Sequence, residues 1–361
     1  MGKTYSNKAI YQMNKIITFV YFSNNSNSTG VKLKMNNFKD ASKKLGYKSN
    51  EIVLNIENGF YRNIKTLFIN AFNLKNIVFI RYNNSVNLFL FLFIFILKIR
   101  NVKIILDVPT PLINNLNEII VSDSRFLKKA IIVFNTILLG PFPYFFSNIV
   151  VQYAEEHYYF KFLKKNNILI GNGIDVDFYQ NFKRNLITKK IKFIIVANLA
   201  PWHGVDRVIK ALSTVDYDFE LNIVGGGVEY ENLVNLTRKL KLENKIVFTG
   251  PLERKTYINL MCDSDLGIGS MAWDLIKVKV SSALKLREYV SCGLPVVFTS
   301  FDPDLSNHKN FFEINHDQTS INAFFKNLDN SIKDADSQEI RKFAQEKLCM
   351  TNKLKIILDE F

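Results

Sequence analysis

Between Ser281 and Val297 the chain reads SSALKLREYVSCGLPVV. Two serines precede a stretch of helical spacing. Lys285 and Glu288 stand three positions apart on one face, and Cys292-Gly293 ends the helix before an apolar strand. The first amides of a helix have no acceptor within it and lie at the positive end of its dipole, so they form an anion site; a serine cap leaves several of them outward. A carboxylate one turn further in accepts hydrogen bonds from sugar hydroxyls while the helix terminus holds phosphate. A diphosphate beside a sugar is a nucleotide-sugar, and that is the chemistry this segment predicts.

The surrounding pattern supplies elements to hold such a helix. Short apolar runs alternate with helical stretches, the signature of parallel α/β domains. In the first half strands are expected at 15–22, 52–56, 77–80, 102–107 and 149–152, with a helix at 31–45 stopped by Gly46. The turn Gly171–Gly173 and the polar segment to Lys190 mark a junction. The second half restarts with strands at 191–196, 221–224, 245–248, 265–268 and 294–299, and helices at 205–212, up to 240 and at 254–261. Open parallel sheets bind ligands beyond the carboxyl ends of their strands. The distinctive residues fall there: Ser28-Thr29-Gly30, Asn198 to Gly204, Gly225 to Gly227, Leu252-Glu253 and Ser281 to Glu288. Glycine lets backbone approach a ligand closely, although a glycine after a strand is commonly only a turn.

Composition narrows the classes. At 361 residues the chain has room for two cores, and its charged and apolar fractions are those of a folded protein. The net charge of +14 is one-sided: residues 1–185 hold 24 Lys and Arg against 10 Asp and Glu, whereas residues 186–361 hold 23 of each. Lys32, Lys34, Lys39, Lys43, Lys44 and Lys48 crowd the first helix and its exit, where anionic headgroups or a polyprenyl diphosphate would be attracted; a merely solvated basic helix is the competing reading. No nucleic-acid-reading motif accompanies the charge. Three scattered cysteines argue against a disulfide framework or zinc cluster and fit a reducing compartment. We see no secretory signal. The apolar runs 88–97 and 130–151 are too short or too broken, by Asn135, Gly140, Pro141, Pro143 and Asn148, for a transmembrane helix, and core is the favoured reading over membrane surface.

In order and spacing these pieces resemble the family-4 glycosyltransferases of the GT-B fold, in the form found in bacterial capsule and O-antigen assembly. GNGIDVDFY at 171–179, VANLAPWHGVDRVIKAL at 196–212, LNIVGGGVEYENL, IVFTGPLERKTYINLMCDSDLGIGS and the S-x-L-K-x-R-E-Y block are similar to its successive motifs. IRYNNS and IILDVPTP, at 80–85 and 104–111, match more loosely. The resemblance implies two Rossmann-like parallel-sheet domains facing a cleft. These are an acceptor-binding domain at 1–180, a nucleotide-sugar domain at 181–340, and a helical segment at 341–361 packing back on the first.

The resemblance also implies roles. Amides of Ala283, Leu284 and Lys285, after Ser282, would hold the distal phosphate. Glu288 would bind the ribose, Leu252 and Glu253 would border the nucleobase, and Gly30 would face the diphosphate. Gly225 and Gly226 are ligand-contact candidates. Three departures stand out: the family's first glutamate is Val280 here, and its arginine and lysine at the donor-domain turn are Asn198 and His203. His203 once protonated, Arg207 or Lys285 would supply the missing cation. Asp107, ending a strand, would bind the acceptor.

Each has a plainer reading. His203 packs beside Trp202, Glu288 is a solvated helix residue, Arg207 pairs with Asp206 or Asp216, and Asp107 caps a turn. The pairs Asp302/Asp304 and Asp334/Asp336 read as solvated, and His157, His308 and His316 as structural or solvated. The expected activity is retaining transfer from a nucleotide diphosphate-sugar, UDP-sugar favoured, to a lipid-linked glycan or polysaccharide, with no metal or other cofactor, in the cytoplasm or at the inner face of the plasma membrane. The rivals are a non-catalytic partner of the same fold and a nucleotide-sugar epimerase or phosphorylase on the same scaffold.

Overall fold

β-Branched and aromatic runs form two sheets, each parallel throughout and six strands wide. The computed structural model describes residues 15–23, 29–55, 60–82, 87–112, 116, 126–154, 167–184, 190–328, 332 and 335–361. Ser28, His157 and Asp334 lie outside these. The chain divides into one unit of Met1–Ile170 with Met350–Phe361, and another of Gly171–Cys349.

The first unit runs β1 (Ile16–Ser23), α1 (Thr29–Lys44), β2 (Lys48–Asn55), α2 (Phe60–Ala71), β3 (Ile77–Arg81), α3 (Asn87–Ile99), β4 (Lys103–Val108), α4 (Phe126–Leu139), α5 (Pro141–Phe146), β5 (Ile149–Gln152) and β6 (Asn167–Leu169). Its sheet order is β2-β1-β3-β4-β5-β6. One face buries Val78, Ile80, Ile104 and Leu106 against Leu90, Phe93, Ile94 and Leu97 of α3. The other buries Phe19, Phe79 and Ile105 against Met35 and Phe38 of α1. Burial of each such side chain contributes roughly 1.5–3 kcal/mol.

The run 130–151 departs from expectation. Gly140 keeps helical backbone (φ −55, ψ −38) and Pro141 takes the first position of the next helix, where its missing N–H is harmless, so α4 and α5 nearly join. Lys129–Phe146 is therefore long and apolar enough, by length and composition, to cross a membrane, with mean hydropathy 1.4, yet only 22% of it is buried. Nor is α4 core: among its described side chains only Thr136 is buried.

The second unit runs β7 (Ile191–Val196), α6 (Val205–Leu212), β8 (Phe219–Val224), α7 (Tyr230–Lys239), β9 (Ile246–Gly250), α8 (Arg254–Cys262), β10 (Leu266–Ile268), α9 (Leu284–Ser291), β11 (Val296–Phe298), β12 (Phe311–Glu313), α10 (Gln318–Lys326) and α11 (Ser337–Phe343). Its sheet order is β12-β11-β10-β7-β8-β9. Residues 171–180, read as part of the first domain, join this unit because Ile174 bridges Cys349, its amide donates to Leu348 O at 2.8 Å, and Tyr179 is fully buried in this core. The last helix, α12 (Met350–Asp359), returns to the first unit, burying Met350, Leu354 and Ile357 in the α1 cluster.

Candidate functional site

Helix α9 is fixed from behind before it offers anything in front. Arg287, wholly buried, meets both oxygens of Asp302 and donates from Nη2 to Asp304 Oδ2 at 2.8 Å, while its Nε donates to Asn172 O at 3.1 Å. Asp302 and Asp304 are thus the counter-charges of a buried arginine, not a solvated pair; an unpaired guanidinium there would be prohibitive. Gly171 is required beside them, since a Cβ would lie 1.7 Å from Asp304 Oδ2. Asn172 donates from its amide to Ser282 Oγ at 2.6 Å and from Nδ2 to Ser282 O. Tyr289 OH accepts the Val196 amide at 2.8 Å, tying the helix to the end of β7.

These bonds overturn the expected serine cap. Ser282 is spent on Asn172, and the N-cap is Ala283, in extended backbone (φ −70, ψ 131) without a side-chain acceptor. The amides of Ala283, Leu284 and Lys285 make no hydrogen bond to the described residues. An uncapped terminus is a stronger anion site than a capped one, because no local oxygen competes.

Lys285 adds a charge to those dipoles. Its stem reaches solvent, but Nζ is buried and has no hydrogen-bond partner among the described residues. Burial alone pushes its ammonium down to about 7. Beside it stands His203. The His203 Nδ1 accepts the Ala200 amide at 3.1 Å, so the ring's other nitrogen carries the proton. Burial first, and the Lys285 charge second, push His203 down to about 3. In the free protein His203 is a neutral donor rather than the substitute cation expected.

One turn on, Glu288 is buried. Its Oε1 accepts from Tyr179 OH at 2.7 Å and Tyr257 OH at 3.1 Å, and Arg254 Nε lies 3.8 Å away. Arg254 also donates to Tyr179 OH at 2.9 Å and lies over the Phe178 ring at 4.1 Å. Burial outweighs these partners and holds the carboxyl above the usual glutamate range. Glu288 Oε2 has no hydrogen-bond partner among the described residues. It is therefore no solvated helix residue. Tyr179, Arg254 and Tyr257 were missed as site residues; Arg254 and Tyr257, at i and i+3 after Leu252-Glu253, share a helix face that could have flagged them.

Other candidates lie elsewhere or serve other ends. Arg207 forms a two-pronged ion pair with Asp274 (2.8 and 3.0 Å) and also donates to the Met271 and His316 carbonyls. Its partner is neither Asp206, which pairs with Lys210, nor Asp216, and its donors are committed to joining α6 to the 271–274 turn. Gly225 has φ 126 and a Cβ there would sit 1.9 Å from Ala197 O, so the neighbouring loop by itself already requires glycine. Gly226 O accepts the Leu199 amide at 2.6 Å, and the same loop exposes Asn198. Leu252 is half-buried; Glu253 is exposed at the start of α8, without a capping bond.

In the first unit, Gly30 lies in the first turn of α1 rather than a loop, with nothing near its Cβ position. Asp107 is fully buried. It binds Lys34 Nζ at 3.1 Å, Arg81 Nη1 at 2.6 Å and Tyr153 OH at 2.5 Å, and Lys34 lies 3.5 Å over the Tyr153 ring. An acceptor-binding role is corrected: both carboxylate oxygens are taken. The lysine cluster shrinks likewise, since Lys34 is buried there, Lys39 binds Glu51 at 2.6 Å and Lys43 binds Asp40 at 3.2 Å. Among the described residues no group of three or more His, Cys, Asp or Glu is placed to hold a metal.

Comparison with known proteins points the same way. Residues 177–343 match the family model described as Glycosyl transferases group 1. The O-antigen biosynthesis glycosyltransferase WclY of Escherichia coli is 28% identical over 170 residues, which are 44% of this chain and 46% of that protein. The match thus spans about half the length of that relative. Two solved structures share the fold. Anabaena Alr3699/HepE, solved with UDP and glucose, has a TM-score of 0.64 at 14% identity, covering 95% of this chain and 100% of that one. Sucrose-phosphate synthase (tll1590) of Thermosynechococcus elongatus has a TM-score of 0.69 at 13% identity, covering 96% and 98%. Two α/β units with parallel sheets are the build of the GT-B glycosyltransferases.

Proposed function

We propose that the chain, whose residues 177–343 match the group 1 glycosyl transferases, moves a sugar from a UDP-sugar to a hydroxyl of a lipid-linked glycan with retention of anomeric configuration. One observation carries the reading: a buried, unpartnered Lys285 ammonium stands at an uncapped helix terminus, with Glu288 one turn further on. The Ala283, Leu284 and Lys285 amides would receive the donor's distal phosphate, and the ammonium would neutralise it as negative charge grows on the leaving group. Preset dipoles and charges of this kind commonly supply the largest part of catalysis. The His203 N–H would donate to the same group without adding charge. Glu288 Oε2 would accept from the ribose hydroxyls, its other oxygen being held by the two tyrosines.

In the transfer the acceptor oxygen bonds to the anomeric carbon as the bond from that carbon to the phosphate oxygen breaks. The acceptor proton passes to the departing phosphate, so no side-chain base and no metal are needed. The UDP and UDP-glucose complexes of Anabaena HepE favour a uridine donor. A lipid-linked acceptor would bring the chain to the inner face of the plasma membrane.

The test is nucleotide release across UDP-, GDP- and ADP-sugars with a polyprenyl-diphosphate glycan, with the product's anomeric configuration read by NMR. UDP release with retention, unaffected by chelator, is expected. Inversion, chelator-sensitive turnover, or binding of no donor would refute the reading.

A further inference from the structure

We infer that the outer face of α3, α4 and α5, continued by the exposed end of α2, docks the first unit on an anionic lipid bilayer by inserting its apolar side chains. The inference rests on the reading of the chain as one that works at a membrane, and it places the contact on a different surface from the α1 lysines.

The observation is an inverted helix. On α4, Ile131, Phe134, Ile137 and Leu138 recur at helical spacing and are 50–67% exposed, whereas the helix's one described buried side chain is Thr136. A helix on a water-facing surface turns its polar side outward. Helix α3 repeats the pattern with Leu92, Phe95 and Ile99, and α5 exposes Phe142 and Phe145. The three helices pack on one another, with Phe91 5.1 Å from Phe142 and Phe95 5.7 Å from Phe146, so their exposed side chains form one surface. Ile69 on α2 and Phe72 just after it are exposed as well, and α2 packs on α3. Contiguous apolar surface of this extent marks an interaction site.

Charge identifies the partner. The helices α2 to α5 contain no aspartate or glutamate, and their charged residues are Arg62, Lys65, Lys98, Lys128 and Lys129. An apolar face on helices whose charged residues are all basic suits acyl chains beneath anionic headgroups. A second copy pairing through the same face would bring like charges together. Helix α5 is anchored in the unit. Pro143 and Tyr144 are buried, Tyr144 packs 5.8 Å from Tyr82, and Ser147 Oγ donates to Pro143 O at 2.7 Å. The face therefore lies on the bilayer while its inner side stays in the core.

The test is co-sedimentation of the full chain with phosphatidylcholine vesicles, with and without phosphatidylglycerol. It compares wild type, Phe134→Gln/Ile137→Gln and Lys32→Gln/Lys48→Gln, with the UDP-induced thermal shift measured on each. Both altered pairs include only exposed or solvent-facing side chains. Wild type should bind the anionic vesicles and keep most binding at about 0.5 M salt, where surface attraction is screened. The apolar pair should weaken partition about tenfold or more, and the lysine pair less than about twofold, because insertion rather than headgroup attraction dominates. An unchanged UDP shift would show each variant folded. Three results would overturn the inference: the apolar pair binding like wild type, salt abolishing all binding, or light scattering showing a dimer through this face without vesicle binding. Loss of the UDP shift in wild type with vesicle binding intact would refute the nucleotide-sugar reading and leave the docking face standing.

Discussion

Lysine 285 gives the most demanding test, because its environment makes opposite demands on stability and binding. Holding its ammonium down from 10.5 to about 7 by burial corresponds to a penalty on the order of 5 kcal/mol on the charged form. A bound diphosphate supplies the missing partner and returns the ammonium to its ordinary range. Binding must then take up protons: about half a proton at about pH 7 and about 0.9 near pH 8, with affinity falling about fivefold between them and about 50-fold by about pH 9. His203 stays neutral throughout this range, being held near about 3, and a UDP-sugar diphosphate does not titrate there. Calorimetry of UDP-glucose binding in two buffers of different ionisation enthalpy reads the proton number directly.

Lys285→Met should abolish the pH dependence, weaken binding by about tenfold or more at about pH 7, and stabilise the free chain. The sign follows from linkage. A folded-state value below the unfolded one means the penalty is complete below about pH 7 and vanishes as pH approaches the unfolded value near 10.5. The gain in unfolding free energy should therefore be greatest at or below neutrality, a few kcal/mol at most, and shrink in alkali. Wild-type binding without proton uptake, or Lys285→Met binding as well as wild type, would refute Lys285 as the charge that meets the diphosphate.

Other outcomes are expected from the same geometry. Arg287→Met leaves Asp302 and Asp304 without their buried cation and should cost about 3–5 kcal/mol in urea unfolding; a loss below about 1 kcal/mol would show the cluster to be dispensable. Tyr179→Phe with Tyr257→Phe strips Glu288 Oε1 of its donors and should raise donor KM about tenfold with kcat little changed, since the ribose is remote from the broken bond. A fall in kcat alone would place Glu288 elsewhere. Asp107→Asn leaves Lys34 buried without a counter-charge and should cost about 3–5 kcal/mol near neutrality. Burial pushes the Asp107 carboxyl up, but Lys34 and Arg81 win and hold it below its ordinary value of 3.8. Its stabilisation is thus complete above that value and lost as pH falls through the lower folded one, so the variant should show a flatter acid-unfolding curve.

Much of the fold was legible because periodicity is local. Ile191–Val196 and Ile149–Gln152 are strands as read, and Val205–Leu212 is a helix as read. The edge strands β6 and β12 were not read because, unlike the equally short but wholly buried β10 and β11, each is partly exposed and carries a polar residue within its three. The joining of α4 and α5 escaped because glycine and proline were taken as breakers, whereas Gly140 is helical and Pro141 begins a helix.

Within Ser281–Glu288 the sequence alone determined which groups are available: free amides at a helix start, a cation and a carboxylate at i and i+3, and a stop at Gly293. Only the tertiary structure decided how they are used. Ser282 turns from cap to tether because Asn172, 110 residues away, reaches it first. Arg207 and Asp107 drop out because Asp274, Lys34 and Arg81 take their polar atoms. Lys285 gains its interest because nothing does. Residue type and local spacing fix what a side chain can bond to, but long-range packing fixes what remains unbonded, and a buried group left without a partner is what a ligand can satisfy.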